Sequence, residues 1–225
     1  DVYKRQAKIE GQPLNAIFGF ETLGICDNQE LYDKYAPMMQ KYNPKWGMGD
    51  IIIKDRTGEG VINDEDRTVI GNSIPRFTFG LNLGFEYKGF DFSCFFQGVG
   101  KADGYVTMEA IQPMGINGAR KEHYKESFNP QDPKPGAYFP RILSSDYNYA
   151  YMSHWVQDAS YIRLKNLQIG YSFKIKGLNQ LRVYASGENL FTATKYRTWD
   201  PETPVGARGF YPNVAVYSMG VNLNF

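Results

Sequence analysis

The sequence predicts an all-β fold that consists of about six C-terminal strands of a large antiparallel transmembrane β-barrel with long extracellular loops. Three observations support this prediction. The last nine residues alternate between apolar and polar side chains, aromatic residues make up 16% of the chain, and short connections alternate with long ones. Alternation with a period of two is typical of a strand with two different faces, and aromatic residues favour strands.

The final strand shows this alternation most clearly. Chain termini usually fray into polar tails, whereas the last strand of a barrel has to close against the first and therefore stays regular. The opposite face of this strand carries only Ser, Gly and Asn. We expect its apolar side chains to form the signal that the barrel assembly machinery recognises: Tyr217, Met219, Val221, Leu223 and Phe225.

Six segments have the residue pattern of strands: 14–25, 76–86, 90–98, 161–173, 181–191 and 214–225. Each is roughly 9–13 residues long, close to the ~9–11 residues with which a tilted strand crosses a bilayer. The first segment alternates only weakly. In the fourth segment, Arg163 and Lys165 fall outside the phase set by the residues that follow them.

The connections between these segments alternate in length. Residues 87–89 predict a tight hairpin turn, and residues 174–180 are also short. The connections 26–75, 100–160 and 192–213 are long. Short turns on one side and long loops on the other are typical of outer-membrane barrels. With Phe225 at the periplasmic end, all three long loops are expected outside the cell.

A secreted or surface glycan-binding β-sandwich that does not span the membrane is the alternative fold, because its strands also have one polar face. Small and charged residues along the polar faces suit a water-filled lumen better. The opposite faces are rich in Phe, which a sandwich buries only against a second sheet. Loops of roughly fifty to sixty residues are also unusual in a compact sandwich.

Composition excludes several other classes of protein. The net charge of +1 and the absence of a basic stripe argue against a nucleic-acid partner. Cys26 and Cys94 are isolated, so they predict neither a disulfide framework nor a metal site. His123 and His154 lie far apart and in no nucleophile motif. We therefore predict that the chain is not an enzyme.

Residues 55–66 partly fit the oxygen-rich loop that binds calcium in EF-hands. Gly60 occupies the position of the sharp turn, and the candidate ligands include Asp55, Thr57, Glu59 and Asp66. Thr and Asp stand where that pattern prefers Asp or Asn and a longer Glu. The alternative is a turn-rich structural loop in which Asp and Gly support backbone hydrogen bonds.

Aromatic residues in the long connections are candidates for substrate binding, because aromatic rings stack on sugar rings. We select four of them: Tyr105, Tyr138, Trp199 and Tyr211. The alternatives are packing within the loops, contact with a partner protein, and the aromatic girdle at the membrane interface.

Residues 49–72 carry a family resemblance. They contain Gly-Asp-Ile, Lys-Asp, Gly-x-Gly, Asp-Arg-Thr and Ile-Gly-Asn in order. This stretch closely resembles a loop of SusC/RagA-type TonB-dependent outer-membrane transporters, which have Asn and Asp where this chain has Thr57 and Glu59. The match covers nearly the whole chain after residue 6, through residues 11–14, 75–80, 87–91, 95–98, 161–166, 170–171, 181–184, 187–191, 195–196 and 200–202.

The resemblance implies a barrel of about 22 strands with a plug domain inside. Such proteins import oligosaccharides, or in some members peptides, across the outer membrane. A SusD-like lipoprotein caps the barrel and the TonB complex supplies energy through an N-terminal segment. Residues 7–225 resemble only the C-terminal part of the barrel, without the plug. The isolated segment is therefore expected neither to insert into lipid nor to transport, because open sheet edges leave unpaired backbone groups.

The first six residues have a separate interpretation. They resemble the in-frame translation of a transposon end used to prepare sequencing libraries, so residues 1–6 are expected to be a scar rather than part of the fold. The alternative is an ordinary internal segment of the protein.

Overall fold

The computed structural model describes residues 10–106, 111–113, 118–133, 135–142, 147–197, 200–203 and 211–225. The predicted scar at residues 1–6 lies outside these ranges. The chain divides into two compact units. The first comprises residues 1–74, 104–157 and 204–208, and the second comprises residues 75–103, 158–203 and 209–225.

The elements follow one another in chain order as β1 (Ala16–Phe20), β2 (Thr22–Ile25), α1 (Gln29–Tyr42), β3 (Ile51–Ile53), β4 (Arg67–Asn72), β5 (Phe77–Tyr87), β6 (Phe90–Gly100), β7 (Asp103–Tyr105), α2 (Lys121–Glu126), β8 (Val156–Asp158), β9 (Tyr161–Phe173), β10 (Gln180–Thr194) and β11 (Val216–Asn224). No helix in the described ranges is long and apolar enough to cross a membrane.

The second unit is built on one antiparallel sheet with the strand order β11-β10-β9-β6-β5. These are five of the six predicted strands, and their observed ends differ from the predicted ones by at most a few residues. The sheet is a single open layer, with β5 and β11 at its edges. The β-sandwich alternative needs a second sheet over the apolar face, but the side chains of that face are exposed and no described strand of this unit covers them.

The hairpin turn between β5 and β6 was predicted correctly. Lys88 and Gly89 both have positive φ, at 48° and 88°, which is the signature of a type I′ turn. This turn matches the twist of the two strands that it joins. A Cβ atom at position 89 would lie 2.8 Å from the backbone oxygen of Ser172, so glycine is required there for space as well.

The prediction of a barrel strand over residues 14–25 is wrong. This segment forms two short strands in the first unit, where β1 pairs with β4 and β2 pairs with β3. Ala16, Ile17 and Phe20 are buried, and Gly19 packs directly against the backbone of Tyr151. The segment is therefore part of a packed core, and its weak alternation reflects burial rather than one lipid-facing side.

The first unit has its own apolar core beneath α1 and the short strands. Asn28 caps α1 by accepting a hydrogen bond from the Leu31 amide at 2.9 Å, as an N-cap residue should. All three residues of β3 are buried. Trp46 and Trp155 are also buried, and their indole nitrogens donate to the backbone oxygens of Ile51 and Asn148, respectively. Residues of the predicted connections 26–75 and 100–160 therefore form a folded core.

Candidate functional site: a two-faced sheet and its ion-pair clusters

One face of the five-stranded sheet is apolar across every strand. The register aligns Tyr87, Phe90, Tyr171, Val183 and Val221 in a single row. The neighbouring rows on this face are also mainly apolar, and they include the predicted assembly residues of β11. Met219 is 90% exposed and Phe225 is 84% exposed. A soluble protein rarely exposes an apolar surface of this extent.

The height of this face matches a bilayer. Strand β5 has 11 residues, and at ~3.3 Å per residue it extends for ~33 Å. A tilt of roughly 40° reduces this to ~25 Å, which is about the height of the apolar band of an outer-membrane barrel. The residues of β5 are therefore enough to cross the hydrocarbon layer once.

Lysines stand over aromatic rings at both ends of β5. Lys101 Nζ lies 5.6 Å from the centroid of the Phe77 ring, and Lys88 Nζ lies 5.1 Å from that of Tyr87. Aromatic rings at the headgroup level, together with lysines that extend their charge towards water, mark the borders of a membrane protein. The two pairs thus delimit the apolar band at opposite ends of one strand.

The opposite face of the sheet is polar. Near the short turns, Arg182 Nε donates to Asp91 Oδ1 at 2.8 Å across two strands. Both side chains lie over Gly170, where a side chain would displace them, and Tyr184 lies in the same way over Gly220. The glycines let neighbouring side chains lie flat on the sheet. Asp91 and Arg182 also line a cavity of about 510 Å³ at the short-turn end.

A second ion-pair cluster lies near the long-loop end of the polar face. Arg163 is only 2% exposed. Its Nη2 lies 2.7 Å from Asp200 Oδ2, its Nη1 lies 3.0 Å from Glu202 Oε2, and its Nε donates to Thr192 Oγ1 at 2.8 Å. Lys165 Nζ also lies 2.8 Å from Glu202 Oε1. This cluster ties residues 200–202 of the last long connection to strands β9 and β10.

A β-bulge explains how Arg163 reaches the polar face. The register between β6 and β9 shifts between Phe95 and Phe96, and Lys165 is the extra residue on β9. The shift moves Arg163 into line with Gln97 on β6. The sequence signal for this cluster was the out-of-phase position of the two basic residues in segment 161–173, but that signal did not identify their acidic partners.

The pKa of Glu202 makes this cluster sensitive to acid. Burial acts to raise this pKa, but hydrogen bonds from Lys165 and Tyr161 and the charge of Arg163 hold it below the usual 4.5. A lowered pKa means that Glu202 contributes its full stability above about pH 4.5 and loses it as the pH falls through the folded-state value.

We therefore expect acidification of the full-length receptor below pH 4.5 to lower the protection factors of the amides at residues 200–203, after correction for the intrinsic pH dependence of exchange. Hydrogen exchange followed by mass spectrometry measures this change. Glu202→Gln carries no titratable group at that position, so it should flatten the pH dependence. An identical acid response in Glu202→Gln and the parent would contradict the assignment.

A buried carboxylate organises the first unit. Asp50 is 1% exposed, and Arg141 donates to it through Nε at 2.8 Å and Nη2 at 2.6 Å. Asn148 Nδ2 and the Gly47 amide donate to the same carboxylate at 2.8 Å and 2.9 Å. Sequence reasoning missed this cluster, because Arg141 and Asn148 lie far along the chain and belong to no local motif.

Cys26 lies next to this cluster and has a weakly reactive thiol. Burial, followed by the nearby Asp50 and Asp27 carboxylates, raises the pKa of its thiol to about 11. A thiol with such a pKa is protonated at neutral pH and is a weak nucleophile. Cys26 and Cys94 are both free, as the sequence predicted.

The predicted calcium loop is closed by hydrogen bonds in this structure. Asp66 is fully buried, and its carboxylate accepts the amides of Arg56, Thr57 and Asn63 at 2.8–3.1 Å. Asp55 accepts the amides of Gly58 and Gly60 at 2.6 Å and 2.7 Å. Within the described ranges, no three His, Cys, Asp or Glu side chains are grouped to hold a metal ion. Calcium binding through Asp55, Thr57, Glu59 and Asp66 stays a prediction.

Replacing Asp66 with alanine is expected to destabilise this loop by about 3 kcal/mol, because the amides of Arg56, Thr57 and Asn63 lose the buried carboxylate that accepts their hydrogen bonds. The measurement is amide exchange over residues 55–66 in the full-length receptor. Asp64→Ala is the matched control, since Asp64 is exposed and makes a surface ion pair with Arg67 that is worth about 1 kcal/mol or less. Equal effects of the two substitutions would show that Asp66 does not close the loop.

The predicted substrate-binding aromatics have different surroundings. Tyr105 is buried, and its hydroxyl donates to the Ala150 oxygen at 3.1 Å. Tyr138 packs against Phe139 and Trp155. Both belong to the first unit, whereas Tyr211 belongs to the second and is 82% exposed. Trp199 lies outside the described residues.

The chain is similar to TonB-dependent receptors over most or nearly all of its length. It is 32% identical to TonB-dependent receptor P3 of Formosa agariphila over 248 residues, which cover 99% of this chain and 23% of that receptor. It is 33% identical to receptor P39 of the same organism, over 96% of this chain and 25% of that receptor. Identity to the TonB-dependent receptor SusC of Bacteroides thetaiotaomicron is 27%, over 77% of this chain and 17% of SusC.

Solved structures show the same fold. The RagAB peptide importer in its open-open state matches 96% of this chain with a TM-score of 0.69 and 22% sequence identity. The matched region is 23% of that chain. A second solved structure, that of the RagAB peptide transporter, also matches with a TM-score of 0.69. No family model matches the chain.

These relatives are receptors and transporters by name, in agreement with the prediction that the chain is not an enzyme. The chain spans about a quarter of the length of the Formosa receptors. The order of the motifs, the two-faced antiparallel sheet and the similarity over nearly all of the sequence agree with one another. The chain belongs to the SusC/RagA-type TonB-dependent receptors, which are outer-membrane β-barrels.

Proposed function

We propose that the full-length receptor that contains this chain imports oligosaccharides or peptides across the bacterial outer membrane. The proposal rests on a single observation, the five-stranded sheet. One side of this sheet is apolar and as high as a bilayer, and the other side is polar. In this arrangement the apolar face contacts outer-membrane lipid and the polar face lines the transport lumen. On β11 the proposed lumen side carries serine, glycine and asparagine, which are small residues that water can solvate.

We further propose that a SusD-like lipoprotein caps the barrel and that the TonB complex drives import through an N-terminal part of the receptor. The resemblance to SusC and to RagAB supports both partners. RagAB is a peptide importer, which supports peptides as one of the two candidate substrate classes. Tyr211 is the most exposed of the predicted substrate aromatics that the structure describes.

Two neighbouring substitutions on β11 test which face lines the lumen. Ser218→Trp places a large ring on the polar face, and Met219→Trp places the same ring on the apolar face. We expect Ser218→Trp to slow the uptake of fluorescent oligosaccharides or peptides several-fold, whereas Met219→Trp should leave uptake unchanged. The opposite result, with assembled receptor at equal levels, would contradict the proposed orientation.

A matched set of substrates tests the proposed transport itself. Cells with and without the receptor gene are given labelled oligosaccharides and labelled peptides, and uptake is followed with and without a functional TonB complex. The proposal predicts that one of the two classes enters only when both the receptor and TonB are present. Equal uptake of both classes by all of the strains would contradict it.

The apolar residues of β11 are proposed as the signal for the barrel assembly machinery. Deleting Phe225 from the full-length receptor is expected to lower the amount of assembled barrel several-fold, because the apolar pattern of β11 then loses the aromatic residue that follows Asn224. Heat-modifiable mobility on gels measures the folded barrel. Phe225→Tyr keeps an aromatic ring and serves as the control. Unchanged levels after the deletion would count against the signal.

Calcium binding to the loop of residues 55–66 is also a proposal, supported by its oxygen-rich side chains. Calorimetric titration of the full-length receptor with calcium chloride tests it. Heat that disappears in the variant Asp55→Ala would support a site at this loop. If the parent receptor gives no heat, the calcium proposal is wrong, and hydrogen bonds alone account for the structure of this loop.

A further inference from the structure

The apolar face contains a groove near its short-turn end, with a volume of about 600 Å³. Ala185 on β10 is small, and the register places it between the larger Ile169 of β9 and Met219 of β11. Its neighbour along this face, Val183, pairs with Tyr171 and Val221. The sides of the groove are formed by Ile169, Tyr171, Met219 and Val221. The small Ala185 side chain leaves a depression between its larger neighbours, and the apolar lining of this groove suits a flexible hydrocarbon chain.

Aromatic rings surround the short-turn end of this groove. Phe90 contacts Tyr171 edge to face, with their ring centroids 4.7 Å apart. Tyr171 contacts Phe173 in the same manner at 4.6 Å. Aromatic residues at this depth are typical of the headgroup level of a bilayer. A lipid chain in the groove would therefore have its headgroup beside these rings.

Positive charge gathers at the same end of the face. Lys88 lies in the β5–β6 turn, and its Nζ is 5.1 Å from the centroid of the Tyr87 ring. Lys174 directly follows Phe173 at the end of β9, and both Lys174 and Lys176 are exposed.

The acidic side chains of the neighbouring strand segments point to the other face. Asp91 is bound by Arg182 there, and Glu86 acts electrostatically on the same Arg182. The three lysines, Lys88, Lys174 and Lys176, lie in the two short connections at this end of the sheet, which is the level of the headgroups if the apolar face spans the bilayer.

We propose that this groove is a binding site for a glycerophospholipid, with one acyl chain along Ala185 and Val183 and an anionic phosphate headgroup held by Lys88, Lys174 and Lys176. The chemistry of the site has both parts of such a lipid, an apolar channel and a cationic end. This inference goes beyond transport, although it rests on the proposed membrane-spanning role of the sheet. It concerns the outer wall of the barrel rather than the lumen.

The test uses the full-length receptor, purified in detergent, stripped of lipid and titrated with phosphatidylglycerol. Native mass spectrometry counts the bound lipid. The triple variant Lys88→Gln, Lys174→Gln, Lys176→Gln is expected to lower the affinity roughly tenfold or more, because each lysine near a membrane surface attracts anionic lipid. Ala185→Leu fills the channel and should also weaken binding. Phosphatidylcholine, which has no net charge, should bind more weakly to the parent receptor.

Two variants at the other end of the same face are the controls. Lys101→Gln removes the lysine over Phe77, and Ala193→Leu enlarges an exposed side chain on the long-loop half of β10. Both should bind phosphatidylglycerol as the parent does. Heat-modifiable mobility verifies that every variant is assembled, and single-lysine variants replace the triple variant if it does not assemble.

Unchanged affinity in the lysine variants and in Ala185→Leu would overturn the proposal. An equal loss in the two controls would overturn it as well, since lipid would then contact the whole face without preference. If the receptor inserts and imports its substrate, but neither the lysine variants nor Ala185→Leu lose lipid affinity, only the lipid site is refuted. A receptor that does not enter the membrane would refute the proposed function.

Discussion

Replacing Arg163 with methionine is expected to cost about 3–5 kcal/mol of local stability, because it leaves two partly buried carboxylates without their shared cation. Arg163 is 2% exposed and contacts Asp200, Glu202 and Thr192. Methionine retains much of the side-chain volume, so the effect reports the lost charge and hydrogen bonds rather than a cavity. Residues 200–203 should lose their attachment to β9 and β10.

Amide exchange over residues 200–203 and 211–213 of the full-length receptor measures this effect, and we expect it to accelerate roughly 100-fold or more. Lys165→Met is the matched control on the same strand. Lys165 is 24% exposed and contacts Glu202, so its removal should cost about 1 kcal/mol or less. If the two variants exchange at the same rate, Arg163 does not anchor this connection.

The second large effect is expected for Asp50→Leu in the first unit. The substitution leaves the Arg141 guanidinium without its carboxylate and removes the acceptor for Asn148 and the Gly47 amide. Removing one partner of a buried ion pair costs about 3–5 kcal/mol. Since Arg141 and Asn148 come from a distant part of the chain, we expect the loss to loosen the whole unit rather than one turn.

Limited proteolysis of intact cells that display the receptor measures this loosening through cleavage within residues 26–74 and 104–157. Asp27→Leu is the control, because Asp27 is a neighbouring acid whose carboxylate accepts hydrogen bonds from Asn28 and the Gly136 amide at the exposed surface. We expect faster cleavage for Asp50→Leu and parent-like cleavage for Asp27→Leu. Equal protection of the two variants would show that the buried cluster does not hold the unit together.

The sheet could be predicted from sequence because its physical cause is local. A strand between lipid and water must alternate with a period of two, and residues 76–86 and 217–225 show that alternation residue by residue. The turn at Lys88 and Gly89 was equally local, since positive φ at two successive residues needs a short Gly-containing sequence.

The folded connections could not be predicted in the same way. Segment 14–25 has apolar residues on both sides because it is buried, and a buried strand gives no clear period. The side-chain partners of Asp50, Arg141 and Asn148, lie more than ninety residues along the chain, and no pattern in the sequence predicts such contacts. Arg163 was visible as a break in phase, but the bulge that causes the break is a property of pairing between strands.

The same distinction applies to the predicted site residues. Aromatic type alone selected Tyr105 and Tyr138, yet hydrogen bonds and packing place these side chains inside the first unit. Acidic spacing alone selected residues 55–66, where the carboxylates accept backbone amides. Residue type and spacing thus identify candidates for chemistry, whereas burial and hydrogen-bond partners decide what each side chain is free to do.

The measurement that tests the central claim most directly is accessibility scanning along β5 of the full-length receptor in lipid bilayers. Spin labels are introduced singly at residues 81–86 after Cys26 and Cys94 have been replaced by serine, and collision with oxygen is compared with collision with a water-soluble nickel complex. The account predicts a period of two, with positions 81, 83 and 85 accessible to oxygen and positions 82, 84 and 86 accessible to nickel. Equal accessibility of both sets to the nickel complex would contradict a sheet that separates lipid from a lumen.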